Sequence, residues 1–220
     1  MRVLVTGASR GIGRSAAIEF SKRGHEVLIC ARSEDALKQV AKEAKAQALV
    51  CDLSQESQIN ELYNHCGPLD VVINNAAMIK PKPFIKMTSA DWDETLNLNL
   101  RSIFLSCKAA FDNMKGRGGS ILNMSSLGGL QNTQKFLGFS SYSVSKAAVI
   151  ALTECLAVEG RPLGIRVNAL APGAVDTQML KEAGADLSTQ TTPESVAQTL
   201  VHLALDETLS GTVLPIWSNQ

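Results

Sequence analysis

Tyr142 and Lys146 have residue types and a spacing suited to acid–base chemistry. Four positions apart on a helix, the two side chains share a face and can meet. A phenol with an ordinary pKa of about 10 is a poor proton donor or acceptor at neutral pH, and a nearby ammonium stabilises its phenolate. The same spacing also arises where a tyrosine packs at a helix start and a lysine extends to solvent, so the surrounding residues must decide. A second chemical feature is the run Thr6-Gly7-Ala8-Ser9-Arg10-Gly11-Ile12-Gly13, which follows a short apolar strand and opens a helix carrying Ile12, Ala16, Ala17 and Phe20. Glycines there permit a sharp turn and close backbone approach, while a helix N-terminus offers free N–H groups and partial positive charge. Such a turn fits the pyrophosphate of a dinucleotide.

The elements that must position these residues are legible as alternating runs. Strands are expected at Arg2–Val5, Glu26–Cys30, Ala48–Cys51, Val71–Ile73, Ser120–Asn123, Arg166–Leu170 and Gly211–Leu214. Helices are expected at Gly13–Arg23, Glu34–Lys45, Gln55–His65, Asp91–Lys115 (as two), Ser143–Glu159 and Pro193–Leu205. Strand–helix alternation of this kind builds an α/β fold, a doubly wound parallel sheet of about seven strands with helices on both faces. Leu127–Ser140 and Val175–Thr192 have no assigned element; both follow strands, where loops build the ligand crevice. The end of the second strand chooses the dinucleotide, because a carboxylate there binds a ribose 2′-hydroxyl and an arginine accommodates a 2′-phosphate. The chain reads Cys30-Ala31-Arg32-Ser33, and Arg10 in the glycine turn supplies a second guanidinium. NADP(H) is therefore expected over NAD(H), the bland alternative being that both arginines are solvated surface charges.

Composition narrows the rest. The 220 residues are expected to form one domain, with 45% apolar and 19% charged residues. Twenty-one basic residues balance 21 acidic ones, so no global field draws the chain to nucleic acid or an anionic membrane. Five cysteines without a C-x-x-C pair argue against a disulfide framework or a zinc site and for a reduced, cytoplasmic protein. No catalytic metal is expected, since His25, His65 and His202 lie in different elements without ligand spacing. Apolar runs are broken by charges, so no bilayer span is expected, and no signal peptide is visible.

Taken together, these residues resemble the short-chain dehydrogenase/reductase family. The turn has that family's T-G-x-x-x-G-x-G spacing; Asn74-Asn75-Ala76-Ala77 is similar to its N-N-A-G, with alanine in place of glycine. Tyr142-Ser143-Val144-Ser145-Lys146 is similar to its Y-x-x-x-K, Ser126 follows the fifth strand, and Pro172-Gly173 follows the sixth. The resemblance runs from Val3 to about Thr177 and implies a Rossmann-type fold and a nicotinamide oxidoreductase. It implies catalytic roles for Asn99, Ser126, Tyr142 and Lys146, with Ser125 a fallback for Ser126 and Asn97 a rival to Asn99. By the same resemblance, Asn99 helps to hold a water that connects the lysine to solvent, and Asn74 ties strands together. The implied cofactor contacts are Gly7, Ser9, Arg10, Gly11, Ile12, Gly13, Arg32, Asp52, Leu53, Asn75, Ala76, Tyr142, Lys146, Pro172, Gly173, Val175 and Thr177. Asp52 lies near adenine in that scheme, and could equally cap the following helix, a role for which Ser54 competes.

The expected reaction is reduction of a ketone, aldehyde or 3-oxoacyl group by NADPH, with Tyr142 as general acid. Sixteen positions separate Ser126 from Tyr142, longer than the family's usual spacing, so an enlarged loop should line the substrate pocket. Leu127, Leu130, Phe136, Leu137, Phe139, Met179 and Leu180 are its apolar candidates. The segment Val175–Thr192 is short for the family's lid, and the tail after Leu214 lacks its usual glycine pair. Relatives pair the helices around Asp91–Lys115 and Ser143–Glu159, so a homodimer or homotetramer is expected. The rival from another class is a non-catalytic NADP-binding sensor. A third reading, an epimerase or dehydratase with tightly held nicotinamide, is disfavoured by the chain's length.

Overall fold

Valine, isoleucine and leucine form the strands here because both faces of each central strand are covered. Along β1 (Arg2–Thr6), Val3 and Val5 point into one core and Leu4 into the other, all at 0% exposure. The computed structural model describes residues 1–184 and 189–217. After β1 come α1 (Gly11–Lys22), β2 (Glu26–Ala31), α2 (Glu34–Glu43), β3 (Gln47–Val50), α3 (Glu56–Cys66) and β4 (Val71–Asn74). They are followed by α4 (Ser89–Leu96), α5 (Ser102–Met114), β5 (Gly119–Met124), α6 (Ser140–Gly160), β6 (Ile165–Pro172), α7 (Gln178–Glu182), α8 (Pro193–Leu205) and β7 (Val213–Ile216). All described strand pairs are parallel, in the order β3-β2-β1-β4-β5-β6-β7. Chain order reverses between β1 and β4, and the crevice beyond their carboxyl ends is where such a sheet binds ligands. One face packs Phe20 of α1 with Val196 and Leu200 of α8; the other packs Ile59 of α3, Ile103 and Met114 of α5, and Val149 of α6.

Three expectations need correction. The helical stretch expected as two pieces over Asp91–Lys115 is one continuous rod, with a wide π turn at Asn97–Arg101 between α4 and α5. The last strand is Val213–Ile216 rather than Gly211–Leu214, since Gly211 is the turn before it, at φ +81°. Pro215 is tolerated there because β7 is an edge strand paired only with β6. Finally, Ser140–Leu163 is long and apolar enough, by length and composition alone, to cross a bilayer. Its inner face, with Ser145, Lys146, Val149 and Thr153, is packed against the sheet, as in a core helix.

Candidate active site

The glycine turn is locked to the end of β4 by side chains on both sides. Thr6 Oγ1 donates to the Ile73 carbonyl at 3.2 Å and accepts from Asn75 N at 3.0 Å. Asn75 Nδ2 donates to the Thr6 and Gly7 carbonyls at 2.9 and 3.1 Å. Gly7, at φ +64°, lies so near Ala76 that a Cβ would come 2.6 Å from its Cα. Gly11 also has positive φ, at +57°, and opens α1. No acidic side chain occupies the first turn of α1, and Arg10 at its N-cap makes no side-chain cap bond. The first N–H groups of α1 thus have no side-chain cap, and Gly11 and Ile12 line the cleft, a donor set suited to a pyrophosphate.

That cleft has a volume of about 1440 Å³, room for a dinucleotide beside a smaller molecule. Its wall includes Gly7, Ser9, Arg10, Gly11 and Ile12 of the glycine turn, Arg32 after β2, Leu53, and Asn75 and Ala76 after β4. Pro172, Gly173, Val175 and Thr177 also line it; Thr177 Oγ1 accepts from Leu180 N at 3.3 Å, capping α7. Two expected contacts fall elsewhere. Gly13 is not on the wall: it lets α1 pack on the turn, where a Cβ would collide with Asn75 Nδ2 and the Gly7 carbonyl. Asp52 is also off the wall, its carboxylate accepting from Ser54 N at 3.0 Å while Cys51 and Leu53 present themselves instead. An aspartate two residues before an N–H is better placed to stabilise its own turn.

The chemical end is built from β5, the loop after it, and α6. Ser126, Tyr142 and Lys146 all line the cleft. Ser126 Oγ accepts from Gly128 N at 3.1 Å, which leaves its proton free to donate. Ser125 is buried, and its hydroxyl donates to the Lys146 carbonyl at 2.8 Å, so it anchors α6 and Ser126 is the serine facing the tyrosine. Burial pushes the Tyr142 phenol up, opposed by the Ser126 hydroxyl. Lys146 is 1% exposed, and removal from water lowers its ammonium to about 8. Its Nζ donates to the Met124 carbonyl at 2.7 Å and stands 5.7 Å from the centre of the Tyr142 ring. The protein alone thus leaves lysine and phenol unbonded to each other.

Asn99 is fully buried at the π turn rather than on the cleft wall. Its Oδ1 accepts from Met78 N at 2.8 Å, and its Nδ2 donates to the Met78 carbonyl at 2.9 Å and to Ser145 Oγ at 3.2 Å. With both ends of its amide so engaged, Asn99 ties the segment after β4 to α6. Asn97 bonds the Ser54 carbonyl at 3.3 Å and takes no part in the site. Asn74 ties strands as expected, donating to Asn123 Oδ1 at 2.9 Å and accepting from Ser106 Oγ at 2.6 Å.

The enlarged loop supplies Leu127, Phe136 and Phe139 to the wall, and Met179 and Leu180 come from α7. Leu137 points away, at 87% exposure, and Leu130 does not reach the wall. Phe139 meets the Tyr142 ring edge-on, with centroids 6.3 Å apart, and Phe136 packs on Phe139 at 5.7 Å. Sequence reading missed Gly129, whose Cβ would lie 2.6 Å from the backbone of Lys146, and Trp217, which lines the cleft from the chain's end. Neither stands in a motif; only the packing reveals them.

Comparison with known proteins agrees with this geometry. The family model described as short chain dehydrogenase matches residues 1–188. The chain is 34% identical over 222 residues to dehydrogenase/reductase SDR family member 6 of Xenopus laevis, covering 93% of this chain and 90% of that one. It is 37% identical over 187 residues to 3-oxoacyl-[acyl-carrier-protein] reductase FabG of Aquifex aeolicus, covering 80% and 74%. The crystal structure of a short-chain type dehydrogenase/reductase from Mycobacterium marinum superposes with a TM-score of 0.89 at 29% identity, covering 98% and 93%. With its glycine turn, its serine–tyrosine–lysine wall and a family match over most of its length, the chain belongs to the short-chain dehydrogenase/reductase family of nicotinamide-dependent oxidoreductases.

Proposed function

We propose that this oxidoreductase reduces a carbonyl group to an alcohol with NADPH, a 3-oxoacyl thioester being the nearest substrate subtype. The observation that carries the reading is the Ser126 and Tyr142 pair on the cleft wall, with Lys146 buried behind it. When bound, the reduced nicotinamide supplies a hydride to the carbonyl carbon. Ser126 and Tyr142 hold the carbonyl oxygen, and Tyr142 releases its proton to that oxygen as negative charge collects there. Lys146 stabilises the phenolate left behind and feeds a proton back to it. Leu127, Phe136, Phe139, Met179 and Leu180 exclude water and favour an apolar substituent. Arg32, exposed just after β2 and lining the same cleft as Arg10, and the lack of a carboxylate at that strand end support NADPH over NADH. The names of the Aquifex aeolicus and Thermotoga maritima relatives support the 3-oxoacyl subtype.

We also infer a cytoplasmic homodimer or homotetramer. The outer surfaces of α5 and α6 support pairing, with Phe104 49%, Val144 45% and Val158 69% exposed.

The experiment is NADPH oxidation against aldehydes, ketones, quinones and 3-oxoacyl thioesters, run beside NADH and beside Tyr142→Phe. Turnover that prefers NADPH and falls by roughly 10²-fold or more in the variant is expected. Silence across the panel with intact NADPH binding would favour a binding module instead.

A further inference from the structure

Arg10 reaches across the cleft to α7. Its Nη1 donates to Glu182 Oε1 at 3.1 Å and its Nη2 to Oε2 at 3.3 Å, a two-pronged ion pair between residues far apart in the chain. No residue of α7 is buried, so this fork ties the helix to the glycine turn where apolar packing does little. The same helix carries Met179 and Leu180 into the cleft wall. Both partners remain near half exposure, 53% for Arg10 and 44% for Glu182, so the carboxylate is a solvated partner that another anion can replace. Ala8 N donates to the Cys30 carbonyl at 3.2 Å, which binds the glycine turn to the end of β2 only two residues before Arg32. Arg10 and Arg32 both line the cleft, and Arg32 joins none of the ion pairs among the described residues.

We propose that Glu182 is a specificity-determining residue: its carboxylate holds the guanidinium that a coenzyme 2′-phosphate would take, and so sets how strongly the site separates NADPH from NADH. The inference rests on the NADPH reading above. A phosphate arriving at Arg10 meets a carboxylate of like charge, and binding requires the fork to open. Opening it releases α7, so the 2′-phosphate is coupled to the segment that walls the substrate end. A coenzyme without that phosphate leaves the fork closed.

Isothermal titration of the full chain and of Glu182→Gln with adenosine 2′,5′-bisphosphate and with AMP tests this. The glutamine keeps the size and one hydrogen bond of Glu182 but not its charge. The expected result is about two- to fivefold tighter binding of the bisphosphate, up to about 1 kcal/mol, with AMP affinity unchanged. NADPH and NADH titrations should show the same divergence. If the wild-type chain separates bisphosphate from AMP but the variant leaves their ratio unchanged, or weakens both alike, the assignment of Glu182 falls and the NADPH reading stands. If neither the wild-type chain nor the variant favours the phosphorylated ligand, the NADPH reading falls and this proposal with it.

Discussion

In the proposed mechanism, Lys146 is the titrating group whose state decides whether Tyr142 can work. Burial lowers its ammonium to about 8, close to operating pH, and the charge is what supports the phenolate after proton transfer. As pH rises through about 8 the ammonium becomes a neutral amine, which neither stabilises the phenolate nor returns a proton to it. Carbonyl reduction should therefore lose kcat with an inflection near that pH, and Lys146→Met should be slow throughout and lack the inflection. A kcat–pH profile from about 6 to 10 with saturating NADPH checks both; a wild-type profile flat through 8 would place the lysine outside the proton path. At this scale the sequence was most informative where spacing coincides with shared geometry, as for Tyr142 and Lys146 on one helix face. It was least informative where two like residues adjoin. Ser125 and Ser126 differ in sequence by nothing but position, and only their hydrogen bonds separate an anchor from a site residue.

The elements place these groups through contacts that leave no trace in residue type. The turn Leu127–Gly129 lies directly on α6, and Gly129 is there because a Cβ would lie 2.6 Å from the Lys146 carbonyl carbon and 2.7 Å from Ala147 N. Its φ is not positive, so the requirement is one of space rather than backbone conformation. Gly129→Ala should push the turn off α6, displacing Ser126 from Tyr142. Overpacking of this kind costs about 1–3 kcal/mol, and here it should also lower kcat while leaving NADPH affinity near the wild-type value, since the glycine turn stands apart from α6. Urea unfolding, coenzyme titration and steady-state rates together test the claim; an equal loss of coenzyme binding would mean the change is not local. The strands and long helices could be read from period and composition, because burial on both faces forces those patterns. The π turn at Asn97–Arg101 could not, since no residue type marks one extra residue in a helical turn. The placement of Asn99 behind the site follows from that turn and was equally invisible.

Over the whole molecule, alternation of strands and helices was enough to give the doubly wound sheet, because each apolar run needs cover on both faces and parallel pairing provides it. The cost of burying titratable groups in that interior is a property of the assembled fold and makes stability depend on pH in a definite direction. Burial raises Cys66 to about 11 and Cys107 to about 12, and holds Cys30 well above its ordinary value, chiefly through its contact with Cys51 and then burial. Unfolded thiols lose their protons near pH 9 while the folded ones keep them, so stability must fall as pH rises above about 9. Lys146 acts the other way: between about 8 and its ordinary value of 10.5, the unfolded chain holds a proton the folded chain has lost, and stability rises with pH. Cys51, lowered chiefly by its contact with Cys30, acts in the same direction as the lysine below about 9, whereas above about 9 the three raised thiols outweigh them both. Urea midpoints measured under reducing conditions should therefore peak near pH 9 and fall steeply beyond it. Lys146→Met should flatten much of the rise below the peak and keep the fall above it, whereas Cys107→Ala should make the fall shallower; a fall unchanged by the cysteine substitution would show that other groups drive alkaline unfolding.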